Sequence, residues 1–462
     1  MMPFARFGFP YEITIKALTV LFSAAGVGIM LFLSPLPRAI RLVLPFTYYF
    51  FYQYTVISRP YGLLIFAFML AAAFYKTRNE RPLRFCVALA FTAFTHFLAF
   101  LFVFGIALAW LIEIIKNEGF AGLFDVKTHR RRLVSLCVLA VLGGFLAFIM
   151  FPKGSTVWAN SPYSSGRRIA AAVFAFFISP AEAVFYSSGF EGYTRIIDAL
   201  TLDFSLIFGV IAGLLVWSVL LIFAKRHGTV LLLILPYLPF AVFSSVVYTA
   251  NTHTGVPLIF FVFWYWANLD KPPKKTVAHK HSKYVLRAVY AACAVIIAIP
   301  VIQAVYCSVC EIKYSYAPSR EMRDYIEKYD LNNEDTRFWC APLVKSVSEN
   351  REFEITNWAV AFLPYFRDDG FASDFPERYN NYEAVTSAEY NAFLKTLEKS
   401  GYPDVFVLSP PFELIFEDDS RNRPQYIAIA EFECFMISKS GKGRKTVLVV
   451  YASPEFTKKH EM

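Results

Sequence analysis

Three ionisable side chains, Arg59, His96 and His253, each lie in a short polar turn between apolar stretches. A guanidinium donates two hydrogen bonds to one phosphate, and an imidazole can bind phosphate or orient a sugar hydroxyl near neutral pH. Each residue also has an ordinary explanation, because arginines anchor membrane interfaces and a single histidine often caps a helix. If the three turns share one side of a membrane, however, they mark the path of a polar ligand. The sequence therefore predicts a ligand site at these turns.

Further candidates lie in the polar stretch 152–202 and near the N-terminus. Arg167 and Arg168 are two more donors that suit a phosphate. Carboxylates that could take a proton are few, and acids near helix starts usually cap or solvate. As catalytic candidates we retain Glu12, Glu182 and Asp198. The stretch Ile169–Phe185 is expected to form an amphipathic helix that rests on the membrane interface.

Several chemistries are disfavoured because their motifs are absent from the sequence. The chain has no Asp-x-Asp pair for the metal of a nucleotide-sugar transferase, no glycine-rich phosphate loop and no serine nucleophile elbow. These absences argue against a soluble nucleotide-sugar transferase and a lipase-like hydrolase. Residue spacing predicts no metal site.

The elements that carry the polar turns are predicted to be membrane helices. Hydrophobic residues make up 56% of the chain, 49 residues are phenylalanine, and the mean hydropathy of +0.44 exceeds that of soluble domains. We predict a polytopic α-helical membrane core over residues 1–306. Its ten apolar segments are 17–33, 40–57, 61–75, 83–94, 97–115, 133–151, 203–224, 229–249, 254–269 and 284–306.

Basic residues are distributed unevenly between alternate loops, which predicts the orientation of the core. Nineteen lie in one set of loops and seven in the alternate set, which contains Arg59, His96 and His253. Because basic loops resist translocation, the first set is predicted to be cytoplasmic, and the three candidate residues and both chain ends to lie outside. The basic excess is explained by inner loops that face anionic membrane lipid, so no nucleic acid partner is predicted.

Three apolar segments, 61–75, 83–94 and 254–269, fall short of the roughly 20 residues of a straight membrane span. Residues 83–115 could form one long helix, but Arg84 and Lys116 at its two ends both favour the inside. We therefore predict two helices with a turn near Thr95-His96. Short helices of this kind are tolerated where they pack in protein or line a cavity.

Residues 311–462 differ from the core and carry a net charge of −7, against +16 for residues 1–310. They predict an extracytoplasmic α/β domain. Its elements are helices at 320–329 and Thr386–Ser400 and strands at 337–343, 404–408, 426–437 and 446–451. An outside location permits a disulfide among Cys307, Cys310, Cys340 and Cys434.

Four short segments resemble bacterial membrane glycosyltransferases of the GT-C superfamily. They are Tyr52-Gln-Tyr-Thr-Val-Ile-Ser-Arg-Pro-Tyr61, Arg78-Asn-Glu-Arg-Pro82, Phe94-Thr-His-Phe97 and Asn251-Thr-His-Thr-Gly255. Members of that superfamily carry a similar Gln-Tyr to Ser-Arg-x-Tyr segment, a Phe-Thr-His turn and a His-x-Gly segment. The resemblance covers most of residues 1–310.

The resemblance implies transfer of a sugar from a polyprenyl-phosphate donor to a glycan or other cell-envelope acceptor, on the outer face of a bacterial plasma membrane. In such enzymes an acid in the first outside loop acts as general base or assists a divalent metal. Positive charge stabilises the phosphate leaving group. The residues expected to bind substrate are Arg59, His96, Arg167, Arg168 and His253.

The N-terminus departs from the superfamily pattern. Members begin with a cytoplasmic N-terminus, a first span and a long outside loop that bears Asp-Glu, whereas Met1–Pro10 resembles the segment after that loop. An N-terminus outside without a signal sequence is unusual. We therefore expect a truncated copy that lacks the first span and the catalytic acid of the superfamily.

Two other functions remain open at this stage. A transporter or flippase for a lipid-linked glycan predicts symmetry between the two halves of the core and charges at mid-span, and the sequence shows neither clearly. The other alternative is a non-catalytic membrane scaffold whose outside domain binds a partner.

Overall fold

The fold is described from a computed structural model of the 462-residue chain. The chain divides into two compact units near residue 308, and each is described by itself. The residues that the structure describes are 7, 9, 11–57, 61–123, 126–150, 165–185, 204–246, 251–270, 283–314, 318–333, 335–339, 343–346, 351–355, 383–384, 401–408, 412–414, 426–437 and 443–460.

The first unit is helical throughout its described elements. In chain order they are α1 (Tyr11–Leu33), α2 (Arg38–Val43), a 3-10 turn (Leu44–Phe46), a π-helix (Tyr48–Val56), α3 (Tyr61–Tyr75), α4 (Pro82–Thr95), α5 (Phe97–Leu123), α6 (Val126–Met150), α7 (Ser165–Val173), a second π-helix (Phe174–Ile178), α8 (Ser179–Phe185), α9 (Phe204–His227), α10 (Val230–Val246), a 3-10 turn (Asn251–Thr254), α11 (Gly255–Leu269) and α12 (Lys283–Lys313).

Four described helices are long and apolar enough to cross a membrane. These spans are Ile13–Leu33, Phe97–Phe120, Arg130–Ile149 and Gly209–His227. Five shorter apolar helices accompany them: Tyr61–Tyr75, Pro82–Thr95, Ala171–Val184, Val230–Val246 and Gly255–Leu269. Large apolar side chains such as Phe32 and Phe148 are 85% and 80% exposed, as expected for residues that contact lipid. The protein is therefore a helical membrane protein.

The predicted turn at Thr95-His96 is confirmed, because α4 ends at Thr95 and α5 begins at Phe97. The continuous span predicted at 40–57 is wrong. Pro45 lies in a 3-10 turn and Thr47 has an extended backbone (φ −73°, ψ 158°), so the chain changes direction before the π-helix begins. Proline cannot donate the backbone hydrogen bond that a continuous helix needs.

The interfacial helix predicted at Ile169–Phe185 is also wrong in its placement. Phe174, Ile178 and Ala183 are at most 2% exposed, and α8 packs against α9 and α11. Because apolar residues occupy more than one side of this segment, it is more stable inside the bundle than on the interface.

Close packing brings α5, α10 and α11 side by side. At Gly105 in α5, a Cβ atom would lie 2.2 Å from the Cα of Pro236 in α10, so the contact requires glycine. The fully buried ring of Phe102 packs against rings of α10 and α11, with centroids 5.3 and 4.7 Å away. This core positions the two helices that begin just after His96 and His253.

An ion pair between a buried guanidinium and a partly exposed carboxylate ties the turn after α3 to α5, at the far end of α3 from Tyr61. The Arg78 guanidinium, on a residue that is 4% exposed, donates to Glu113 Oε2 at 2.7 Å and to the Tyr75 carbonyl oxygen at 2.9 Å. It also lies 4.0 Å from the centroid of the Tyr75 ring, close enough for a cation–π interaction. Arg78 therefore stabilises the packing of α3 against α5, in addition to being one of the basic residues of the loops predicted to be cytoplasmic.

The second unit combines short helices with two four-stranded sheets. One sheet has the order β1-β5-β8-β7, in which β1 and β5 are parallel; the other has the order β4-β3-β2-β6 and is antiparallel. Val405, Val407 and Val450 are fully buried and pack with Ile326. The elements are α13 (Ser319–Lys328), β1 (Phe338–Trp339), β2 (Leu343–Ser346), β3 (Arg351–Ile355), β4 (Glu383–Ala384), β5 (Val405–Leu408), β6 (Phe412–Leu414), β7 (Ile427–Ile437), β8 (Gly443–Ala452) and α14 (Pro454–Lys459).

Most predicted elements of this unit have a counterpart. The strands predicted at 404–408, 426–437 and 446–451 appear as β5, β7 and β8. The strand predicted at 337–343 is wrong in extent, because its residues belong to β1 and β2 in different sheets. The helix predicted at Thr386–Ser400 lies outside the described residues.

Cys307 and Cys310 both lie buried on α12, and the Gln303 side-chain amide donates to the Cys307 Sγ at 3.5 Å. An outside location would permit a disulfide among the four cysteines, but Cys307 and Cys310 do not pair with each other. One helix holds Cβ atoms three residues apart at about 5–6 Å, whereas a disulfide needs about 3.8 Å. The side chains of Cys340 and Cys434 lie outside the described part of the chain.

Candidate functional site

His96 occupies the break between α4 and α5. Its backbone is extended (φ −161°, ψ 144°), and its Nδ1 accepts a hydrogen bond from the Leu98 N–H at 3.1 Å. This bond satisfies one of the donors that the first turn of a helix leaves open. In the neutral imidazole the proton then resides on Nε2, which can donate to a ligand oxygen. The capping role expected of a single histidine is present and does not use this second nitrogen.

A row of aromatic rings joins His96 to the first π-helix. The His96 ring lies 5.2 Å from that of Tyr61, and Tyr61 stacks on Tyr54 at 4.4 Å with an interplanar angle of 17°. Both tyrosines are at most 5% exposed. Buried tyrosines pack through their rings and require partners for their hydroxyls, so the row places polar groups inside an otherwise apolar bundle.

His253 lies close to His96 although the two residues are far apart in the sequence. It lies in the 3-10 turn Asn251–Thr254, and its ring centroid is 5.7 Å from that of His96 with the rings nearly perpendicular. Two imidazoles at this separation can contact one ligand from two directions. Two of the three turns predicted to share a site, those of His96 and His253, therefore meet at one end of the helical unit, which we call the His96 site.

A hydrogen bond between Tyr49 and Thr254 supports the turn that carries His253. Both residues are almost fully buried, at 2% and 0% exposure. The next residue, Gly255, allows the close approach: a Cβ atom there would lie 2.5 Å from Cδ1 of Tyr49 and 2.5 Å from the hydroxyl oxygen of Tyr54. The first π-helix and the start of α11 can pack in this way only with glycine at position 255.

Glu182 places a carboxylate inside the helical unit, with only 4% of the residue exposed. It lies on α8, which packs against the turn that carries His253 and against α11. Burying a carboxylate is costly unless it is hydrogen-bonded or protonated, and such groups cluster at sites of proton transfer. Glu182 is therefore a candidate general base.

Of the remaining residues predicted for the site, the structure describes the side chain of Arg168 alone. Arg168 lies on α7 with an exposed side chain. Arg167 and Glu12 lie in α7 and α1, and their side chains are outside the described part of the chain. Arg59 and Asp198 fall outside the described residues altogether.

Sequence reasoning missed the buried tyrosines and Thr254 as parts of the site. Tyr54 and Tyr61 belong to the segment that carries Arg59, and Thr254 follows His253 directly. Their proximity to the histidines depends on the π-helix and on Gly255, which leave no clear periodic signal. Among the residues that the structure describes, no group of three His, Cys, Asp or Glu side chains is placed to hold a metal ion.

The His96 site thus combines two imidazoles with buried hydroxyl groups, and the helix that carries the buried Glu182 packs against the turn of His253. Such a set can donate hydrogen bonds to an oxyanion and accept a proton from a hydroxyl. Comparison with known proteins adds nothing to this geometry: no family model, no curated protein and no solved structure matches the chain.

Proposed function

We propose that this protein is a membrane glycosyltransferase of the GT-C type, which moves a sugar from a polyprenyl-phosphate donor to a cell-envelope acceptor. In this proposal the His96 site and the C-terminal unit lie on the outer side of a bacterial plasma membrane. The proposal is supported by the sequence segments around Arg59, His96 and His253, and by the bundle of apolar helices that carries them.

The observation that carries the proposal is the buried carboxylate of Glu182 on α8, a helix that packs against the turn of His253. During transfer, an acceptor hydroxyl oxygen forms a bond to the anomeric carbon while the bond from that carbon to the phosphate oxygen breaks. The hydroxyl proton passes to the Glu182 carboxylate, and polyprenyl phosphate departs with the electron pair of the broken bond. Donors from His96 and His253 stabilise the negative charge on the departing phosphate.

Glu182→Gln tests this role because glutamine keeps the shape of the side chain but is not a base at neutral pH. We expect it to lower the rate of sugar transfer by about 10²–10⁴-fold, the range that general-base catalysis contributes. The assay measures transfer from synthetic polyprenyl-phosphate hexoses and pentoses into glycan in membranes that contain the full chain. Glu80→Gln is the matched control, since Glu80 is exposed and lies in the turn after α3.

Thermal unfolding of each purified variant shows whether lost transfer reflects lost structure. Full transfer by a folded Glu182→Gln variant would refute its role as base. Transfer that also survives in His96→Ala and His253→Ala would refute the site as a whole and favour the scaffold. Intact transfer with blocked movement of the lipid-linked sugar across the membrane would favour the flippase.

A further inference from the structure

The first π-helix, Tyr48–Val56, pairs side chains that are five residues apart in the sequence. The Tyr48 hydroxyl donates to Gln53 Oε1 at 2.9 Å, and the ring centroids of Tyr49 and Tyr54 lie 5.8 Å apart. An α-helix turns by about 500° over five residues and would place such a pair about 140° apart around its axis. The i→i+5 hydrogen bonds of a π-helix instead bring the two side chains to one side. The π-helix therefore allows Tyr49 and Tyr54 to contact the same neighbour.

That neighbour is the turn that leads into α11. A Cβ atom at Gly255 would lie 2.5 Å from Cδ1 of Tyr49 and 2.5 Å from the hydroxyl oxygen of Tyr54. The Tyr49 hydroxyl is also hydrogen-bonded to Thr254 Oγ1, and both residues are at most 2% exposed. A satisfied polar contact inside a protein makes the local structure rigid. Tyr49 therefore holds in place the residue that follows His253.

The same turn determines the separation of the two imidazoles. His253 directly precedes Thr254, and its ring centroid lies 5.7 Å from that of His96. His96 is held independently, because its Nδ1 accepts from the Leu98 N–H at 3.1 Å. A shift of the short turn Asn251–Thr254 would therefore change the separation of the imidazoles without unfolding a helix.

We propose that Tyr49 is a positioning residue for the transfer reaction. Through its hydrogen bond to Thr254, it holds the His253 imidazole where His253 and His96 donate to one departing phosphate. The inference rests on the proposed function, because that function gives the two imidazoles a common ligand. Tyr49 does not contact the substrate, so loss of its hydroxyl should slow transfer only through displacement of His253.

Three substitutions isolate this hydrogen bond. Tyr49→Phe removes one hydroxyl and keeps the ring, Thr254→Val removes the other hydroxyl, and Thr254→Ser retains it. Thr229→Val is the matched control, because Thr229 Oγ1 donates to Asn268 in a buried bond near the opposite end of α11. Each valine variant loses one buried hydrogen bond, but only Thr254→Val loses a bond beside His253.

The first measurement is the rate at which diethyl pyrocarbonate modifies His253, followed by mass spectrometry on the purified full chain in lipid nanodiscs. Loss of the buried bond should increase the population of a displaced turn, and hence this rate, about fivefold in Tyr49→Phe and Thr254→Val. Thr254→Ser and Thr229→Val should match the parent protein. An unchanged rate in folded Tyr49→Phe, or an equal increase in Thr229→Val, would overturn the inference.

The second measurement is the kinetics of sugar transfer. A group that acts in the transition state lowers kcat when it is displaced, so Tyr49→Phe should lower kcat by roughly 10- to 100-fold with little change in KM. In a His253→Ala background the same substitution should have no further effect, because residues that act through one another are not additive.

The two measurements separate the inference from the proposed function. A full loss of transfer on adding Tyr49→Phe to the His253→Ala background would show that Tyr49 acts elsewhere and would contradict the inference. A parent protein that transfers no sugar would refute the proposed function, and the modification rates would still decide whether Tyr49 holds His253 in place.

Discussion

Gly255→Ala should disrupt the His96 site while leaving the helical bundle assembled. The added Cβ would lie 2.5 Å from Cδ1 of Tyr49 and from the hydroxyl oxygen of Tyr54, well inside the distance that carbon contacts tolerate. Both obstacles are side-chain atoms, so the rings can rotate away without a shift of the backbone. The displaced rings would weaken the bond from Tyr49 to Thr254 and the stack of Tyr54 on Tyr61.

The expected cost follows from these contacts. A buried hydrogen bond contributes about 1 kcal/mol, and a stacked aromatic pair contributes about 0.5–1.5 kcal/mol. Alanine loses less backbone entropy than glycine on folding, which offsets about 0.5–1 kcal/mol of this cost. Gly255→Ala should therefore lower the free energy of unfolding by about 1 kcal/mol. Gly28→Ala meets no atom within 4 Å and should raise it by about 0.5–1 kcal/mol.

Thermal unfolding in one detergent, followed by tryptophan fluorescence, compares the two variants with the parent protein. We expect a lower midpoint for Gly255→Ala and an equal or higher midpoint for Gly28→Ala. Transfer from a polyprenyl-phosphate sugar should fall in the first variant and persist in the second. Equal midpoints and equal transfer in both variants would refute the packing described for the tyrosines and the turn at His253.

Three further predictions concern the rest of the fold. Glu113→Ala leaves the buried Arg78 guanidinium without its carboxylate and should cost about 2 kcal/mol, measured by thermal unfolding; a midpoint equal to that of the parent would contradict the buried ion pair. Phe102→Ala removes a fully buried ring and should cost about 3–5 kcal/mol in the same assay, so a loss below about 1 kcal/mol would contradict its central position. Ser453→Ala removes the hydroxyl that accepts from the Phe456 N–H and should cost about 1 kcal/mol, detected as faster amide exchange in α14; unchanged exchange would contradict the cap.

The meeting of His96 and His253 could be predicted because helix order and loop charge place both turns at the same end of the bundle. The basic residues of a loop indicate on which side of the membrane it lies, and each helix that crosses the membrane moves the next loop to the other side. Thr95-His96 was predictable as a turn for the same reason, since Arg84 and Lys116 both favour one side.

The position of Glu182 could not be predicted in this way. Its segment has an amphipathic first half, which favoured an interface, while its second half is buried by packing against α9 and α11. Burial on all sides is a property of the assembled bundle, and hydrophobic periodicity within one segment does not reveal it. The π-helix that contains Tyr49 and Tyr54 could not be predicted from sequence for a similar reason, because its unusual hydrogen bonding depends on tertiary packing.

The central claim is that the His96 site faces the outside of the cell, where lipid-linked sugars would reach it. Single cysteines at His96 and, as control, at the exposed Lys116 can be introduced into a background in which all seven native cysteines are serine, and treated with a membrane-impermeant maleimide. We predict that His96→Cys is labelled in intact cells and Lys116→Cys only in inside-out vesicles. Labelling of His96→Cys only in the vesicles, or of both positions from one side, would contradict the account.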